Sequence, residues 1–523
     1  MFLSPLGERS LIRVPTMQTT VAKPKHLALL TACVMLATIM QALDTTIANV
    51  ALPYMQGSLS ATTDQINWVL TSYIVAAAIA TPVTGFLEAR LGRKRLFLIA
   101  VAGFTAASVL CGIAVTLPEM VLFRLVQGLF GASLVPLSQA VLLDSYPKEK
   151  HGSAMAMWGV GVMVGPILGP TLGGYLTEVY NWRWVFYINV PIGILTFAGL
   201  SAYLAETRTT KGSFDWFGFA MLSIAIGSFQ MMLDRGEQLD WFSSTEILVE
   251  AVLAALAFYL FLVQTFTVKQ PFIDPAIFKD RNFTIGLCFI FVVGIILLAS
   301  LALITPYLQN LMGYPVITAG LVLAPRGIGT MVAMIIVGRL INRVDPRMLL
   351  LLGLLMTAEV LWEMTGFTPD ISQWTLVRTG VLQGMGLGFM FVPLSTITFA
   401  TLPGALRTQG TALYSLMRNI GSSIGISLVI FLLTRNTQIV HAELAGHVTP
   451  FNDALSAVAP SHFWNMATTI GRAALNAEVT KQASVVAYAN DFKLMMIVAL
   501  VALPLIFLLK RAKAQPGEAA ILE

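Results

Sequence analysis

The chain has 523 residues, of which 56% are apolar and only 11% are Asp, Glu, Lys or Arg, against roughly 25% charged residues in a soluble domain. So little charge cannot cover a water-soluble globule of this length, and the apolar bulk excludes a disordered chain or a coiled coil. The formal net charge is only +5, so the positions of the basic residues matter more than their number, and no nucleic-acid partner is expected.

A helix needs about 20 apolar residues to cross the hydrocarbon core of a bilayer. In chain order such runs fall near 27–54, 68–88, 95–115, 118–142, 152–176, 184–205, 214–233, 245–267, 283–309, 315–340, 348–366, 373–400, 408–434 and 491–510. They are too long and too uniformly apolar for barrel strands, so the expected fold is an all-α polytopic membrane protein of fourteen spans. Residues 1–26 carry Arg9, Arg13, Lys23 and Lys25 without a short apolar core and cleavage site. They read as an uncleaved tail, not a signal peptide, and residues 511–523 as a second tail. Cys33, Cys111 and Cys288 lie inside apolar runs and the five histidines outside them. Neither a disulfide framework nor an intramembrane metal site is expected.

An even number of spans puts both termini on one side. With that side taken as inside, the tails and alternate loops collect 22 of the 32 Lys and Arg, and the opposite loops 5. The bias predicts cytoplasmic termini. The chain also repeats itself. Gly85, Leu87 and Arg90 at the end of span 2 recur as Gly338, Leu340 and Arg343 at the end of span 10, an offset of 253. Gln127-Gly128 and Val135-Pro136-Leu137-Ser138 in span 4 recur as Gln383-Gly384 and Val392-Pro393-Leu394-Ser395 in span 12, offset by 256 to 257. Residues 27–205 and 282–510 are then two six-helix halves, and 206–281 an inserted pair of helices with their loops. Parallel halves are a plan of secondary transporters, with the substrate cavity between them.

Charges inside the spans are the candidate site. Asp44 in span 1 is a carboxylate within an apolar run, which marks a functional group by default; the alternative is a capping or packing Asp near the outer surface. Arg124 in span 4 lies about 9 Å from its outer end and Asp44 about 15 Å from the outer end of span 1. The two are expected to pair directly, or through water or Gln127, unless Arg124 snorkels outward. Gln41, Gln127 and Glu363 are expected to face the substrate cavity. Glu359 and Glu363 share a face of span 11, and Glu359 is expected near mid-membrane as a proton site or a contact for cations. The alternative is a shorter span in which Glu363 reaches the outer headgroups.

Other residues read as gates. Gly161, Gly165, Gly169 and Gly173 recur every fourth residue in span 5, with Pro166 and Pro170 between them. Small residues at that spacing let helix backbones approach closely, and proline bends a helix. The stripe is a packing seam, a bending gate, or both. Gly85, Arg90 and Gly92 bound the basic loop after span 2, and Arg90 is expected to latch Asp144 at the inner end of span 4; a topology anchor is the plainer reading. Residues 436–489 form a long outer loop, polar, Ala-rich and partly helical, carrying Trp464. It is either a docking surface or a linker.

With these motifs in place, the chain resembles the major facilitator superfamily, and within it the fourteen-helix drug:proton antiporters of the EmrB type. Leu43 to Pro53 is similar to that family's first-helix motif. Gly85 to Arg95 resembles the superfamily's loop motif, except that the usual Asp beside the loop arginine is Ala89 here and Glu88 stands one place earlier. Arg124 to Gly128 is similar to the fourth-helix motif, Gly161 to Gly174 to the antiporter motif of the fifth helix, and Asp234 to Ser244 to the EmrB subgroup. The resemblance implies a proton-coupled exporter of lipophilic, often cationic toxic compounds in a bacterial inner membrane, with Asp44, Arg124 and Glu359 in proton coupling. It also implies a periplasmic adaptor and an outer-membrane channel as partners. A dedicated exporter of one metabolite, such as a siderophore or a fatty acid, is the rival reading. No GxxxxGK[ST] loop is present, so a proton gradient and no cofactor would drive transport. No His, Cys or metal cluster points to an enzyme.

Overall fold

A computed structural model describes residues 26–207, 209, 213–449, 466 and 468–510. The two expected tails, with Arg9, Arg13, Lys23 and Lys25, lie outside the described residues except for His26. The helices are α1 (Leu27–Ser58), α2 (Trp68–Leu91), α3 (Arg93–Ile113), α4 (Leu117–Ser145), α5 (His151–Val179), α6 (Trp184–Tyr203) and α7 (Trp216–Arg235). There follow α8 (Thr245–Thr267), α9 (Arg281–Leu311), α10 (Val316–Leu340), α11 (Pro346–Met364), α12 (Gln373–Ala400), α13 (Arg407–His447) and α14 (Thr469–Leu508). Among the described residues there is no strand. Thirteen of these helices are long and apolar enough to cross a membrane. The exception is α11, whose 19 residues include Arg347, Glu359 and Glu363; it packs against α12 and α14 as part of the bundle.

The packing repeats between halves. α1 lies on α5 and α6, α2 on α4, and α3 on α4 and α6; in the second half α9 lies on α13 and α14, α10 on α12, and α11 on α12 and α14. The closest approaches recur as well. A Cβ on Gly128 would sit 2.5 Å from the carbonyl oxygen of Tyr73, and one on Gly384 would collide with that of Arg326. Those two pairs carry the offsets, 256 and 253, that the sequence repeat shows. α7 and α8 form the inserted hairpin, with α7 against α2 and α13. On α8 only a stripe through Ile247, Ala254, Ala257, Phe261 and Thr265 is buried, while Val252, Leu256 and Tyr259 are exposed. A helix apolar all round with one packed stripe faces lipid.

The outer loop expected over 436–489 is corrected at both ends. α13 continues to His447 and α14 starts at Thr469. At 1.5 Å per residue each helix is about 60 Å long, roughly twice the hydrocarbon thickness. The two extensions pair, with His441 Nε2 and Asn476 Oδ1 3.0 Å apart. Ala, Glu, Gln and Lys are good helix formers, so a polar stretch rich in them extends a helix instead of ending it. Residues 450–465, with Trp464, lie outside the described residues.

The halves meet on the face where α1 begins. Ser153 Oγ donates to the Gly338 carbonyl at 3.1 Å, and Thr411 Oγ1 to that of Pro136 at 3.1 Å. Trp158 of α5 stacks on Phe391 of α12 with ring centroids 5.6 Å apart. Gly85 lets α2 approach α13, since a Cβ there would lie 3.1 Å from Gln409 Cα.

Candidate functional site

Asp44 is fully buried on α1 and faces α4 and α6. Arg124 and Gln127 are one turn apart on α4, so both reach the same point. Arg124 Nη1 donates to Asp44 Oδ2 at 2.7 Å, and Gln127 Nε2 to Asp44 Oδ1 at 2.8 Å. Asn189 of α6 adds a third donor, Nδ2 to Oδ1, at 2.8 Å. Ser108 of α3 ties this shell together, accepting from Gln127 at 2.7 Å and from Asn189 at 3.2 Å. Arg124 is 1% exposed; its Nε donates to the Val69 carbonyl at 3.1 Å and Nη1 to Gln127 Oε1 at 2.7 Å. The ring of Tyr73 lies 4.3 Å from the guanidinium carbon and that of Phe186 5.6 Å. A buried ion pair recovers its desolvation cost only when further hydrogen bonds satisfy both partners, and here α2, α4 and α6 supply them.

This geometry brings together Asp44, Arg124 and Gln127, directly and at full burial, not as a snorkelling arginine and a surface cap. Gln41 joins at the edge: it is half-buried and its Nε2 donates to the Tyr73 hydroxyl at 3.3 Å. Asn189, Ser108 and Tyr73 were not anticipated. They are neutral, and nothing in an apolar run distinguishes a site amide or hydroxyl from a packed one. Cys111 also reaches the network, 3.6 Å from Gln127 Oε1.

α1 is seated by α5. A Cβ on Gly165 would collide with the Ala42 carbonyl oxygen and one on Gly169 with Thr46 Oγ1, while one on Gly161 would fall 2.5 Å from Met35 Cε and one on Gly173 3.0 Å from Ile47 Cγ1. The stripe is therefore a tight seam along α1, and Thr46 Oγ1 crosses it to donate to the Gly165 carbonyl at 3.0 Å. Asp44 sits between Ala42 and Thr46, so the seam fixes its height. Helix α5 runs unbroken through Pro166 and Pro170; the side chain of Pro170 lies outside the described residues.

The expected latch exists with a different arginine. Arg90 is exposed in the last turn of α2, where a cation interacts favourably with the helix C-terminus. Gly92, at φ +87°, reverses the chain between α2 and α3, a conformation open to glycine. That turn carries Arg93 inward. Arg93 Nε donates to Glu88 at 2.5 Å and Nη1 to Asp144 Oδ2 at 2.7 Å. Arg407 of α13 bonds the other oxygen of Asp144. The chain Glu88–Arg93–Asp144–Arg407 thus spans both halves, and Glu88 supplies the acid that Ala89 lacks.

Glu359 and Glu363 are corrected. Glu359 is exposed, on the outward stripe of α11 with Leu352, Leu355 and Trp362. Glu363 is half-buried and ion-paired with Arg378 of α12, so it is not an unpaired cavity acid. α11 ends at Met364, five residues past Glu359, so the carboxylate lies about 7 Å from the helix end and within snorkelling reach of an interface. A buried acid does occur elsewhere: Asp491, 1% exposed, with no partner for Oδ2.

The Major Facilitator Superfamily model matches residues 34–426. The chain belongs to that family. It is 37% identical to the fatty acid resistance protein FarB of Neisseria gonorrhoeae, over 93% of this chain and 97% of that one. It is 39% identical to the multidrug export protein EmrB of Escherichia coli K12, over 82% and 84%. EmrY of the same strain, a probable multidrug resistance protein, is 36% identical over 90% and 93%. Two solved structures share the fold at 13% identity, the human organic anion transporter MFSD10 with a TM-score of 0.57 and the proton:xylose symporter XylE with 0.59. A major facilitator is a multi-pass membrane transporter, and this chain is one.

Proposed function

We propose that the protein is a proton-coupled antiporter that exports lipophilic toxic compounds across a bacterial inner membrane by alternating access, with both termini cytoplasmic. The observation that carries this reading is the Asp44 shell: a carboxylate at full burial, accepting from Arg124, Gln127 and Asn189, on a helix whose height is set by a glycine seam. Three donors, one of them a guanidinium, favour the ionised form of Asp44, so withdrawal of a donor would favour uptake of a proton. As the halves rock, withdrawal of a donor on α4 or α6 would open Asp44 to one aqueous side. Re-formation of the shell would expel the proton. The relatives named for multidrug export support this reading. FarB, named for fatty acid resistance, favours a second reading in which amphipathic acids are among the exported compounds.

The halves are joined by the Asp144 chain on the face of the termini, so this form would be open to the outside. The paired extensions of α13 and α14 would project into the periplasm and present a helical surface to an adaptor protein leading to an outer-membrane channel. The test is proton release from proteoliposomes when a lipophilic compound is added against a proton gradient. Counterflow supports the antiporter. Substrate movement with no proton movement refutes it.

A further inference from the structure

The second half holds a buried arginine with no acid. Arg326 of α10 occupies the place that the repeat pairs with Tyr73, and Gln383 of α12 the place paired with Gln127. Arg326 is 7% exposed and Gln383 1%. Arg326 Nη2 donates to Ser300 Oγ at 2.9 Å and to the Leu297 carbonyl at 3.2 Å. Its Nη1 has no hydrogen-bond partner, and neither has Gln383 Nε2. Among the described residues no carboxylate forms an ion pair with Arg326, and α9 carries no Asp or Glu. An arginine cannot shed its charge in a protein, and a buried charge without a counter-ion is strongly unfavourable. Both unpartnered nitrogens belong to side chains lining one cavity of about 10 Å³. That volume admits one water-sized group, so a single carboxylate oxygen would enter it and the rest of the head and chain would have to part the wall. The remaining wall is apolar, with Ile304, Leu308, Leu323, Met364 and Phe367.

We infer that this cavity receives the anionic head of an amphipathic substrate, a carboxylate above all, with Arg326 and Gln383 donating to it and the apolar wall meeting the start of its chain. The inference rests on the proposed export of lipophilic compounds and names one class of them. The guanidinium repels an ammonium head, so the site selects against a cation with the same chain.

The test is calorimetric titration of the purified full-length protein in nanodiscs with decanoate, decyltrimethylammonium and sodium chloride. Decanoate should bind the wild type more tightly than the cation does. A hydrogen bond to a charged group is worth about 1.5–3 kcal/mol, so Arg326→Gln should weaken decanoate binding by about ten- to hundredfold. Gln383→Leu should weaken it by a smaller factor, and Arg326→Lys should restore part of the loss. If Arg326→Gln does not purify as a single species, Gln383→Leu and Arg326→Lys carry the test. Decanoate affinity unchanged in every variant that folds overturns the inference. So does chloride filling the site while decanoate adds no heat, because the occupant is then an inorganic anion. The binding assay uses no gradient. If Asp44→Asn exports at the wild-type rate while decanoate still follows Arg326, proton coupling fails and the anion site stands.

Discussion

Asp44 accepts from three side chains on two other helices, and removing any one donor leaves the rest buried. Asp44→Asn should abolish proton-driven export, since Asn keeps the shape without the titratable group, while the protein still purifies as a monodisperse species; export assays on matched expression levels check this. Arg124→Gln leaves a buried carboxylate without its cation, at a cost of about 3–5 kcal/mol. The double variant Asp44→Asn with Arg124→Gln should unfold at a higher temperature than Arg124→Gln alone. A double variant no more stable than the single would mean that the pair is not a coupled buried unit. Glu359→Gln should leave export of both a cationic dye and a neutral uncoupler unchanged, because its side chain faces out of the bundle. Position along a span is legible in a sequence and azimuth is much less so. Asp44 and Arg124 were recognised as partners from depth, while Glu359 was placed too deep and on the wrong face: it is exposed and five residues from the end of α11. Arg90 and Arg93 are both basic, and only the backbone at Gly92 decides which of them points inward. Arg326 was visible as a charge in a span, but its lack of a partner is a fact of three dimensions.

At the scale of elements, the α1–α5 seam is the feature that links packing to the site. The contact at Gly165 is with backbone, which cannot step aside, and at Gly169 with the Thr46 hydroxyl. Overpacking of a tight crossing costs typically 1–3 kcal/mol. Gly165→Leu should therefore shift α1 and lose transport before it loses expression, with Gly169→Leu milder because Thr46 can rotate. Transport at the wild-type rate in both would mean that the seam does not hold Asp44 in place. The glycine period made this seam readable in advance, although its partner helix was not. The long extensions of α13 and α14 were read as an outer loop with only part of it helical, because polarity marks the end of a span. Polarity ends a membrane span, and the helix continues as long as its residues favour it.

For the whole molecule, the two halves close on the terminal face through Glu88, Arg93, Asp144 and Arg407, with Trp158 on Phe391 deeper in. Arg407→Gln removes one charged hydrogen bond from Asp144, worth about 1.5–3 kcal/mol, and should shift the balance of open forms by about tenfold or more. Cysteine labelling on the terminal face of α5 and α10 should rise accordingly. The central claim is that Asp44 exchanges a proton when its shell opens and substrate moves the other way. The measurement that tests it most directly is proton flux from proteoliposomes on addition of a lipophilic substrate, wild type beside Asp44→Asn. The account predicts stoichiometric proton counterflow in the wild type and none in Asp44→Asn. Equal proton counterflow in both would contradict it.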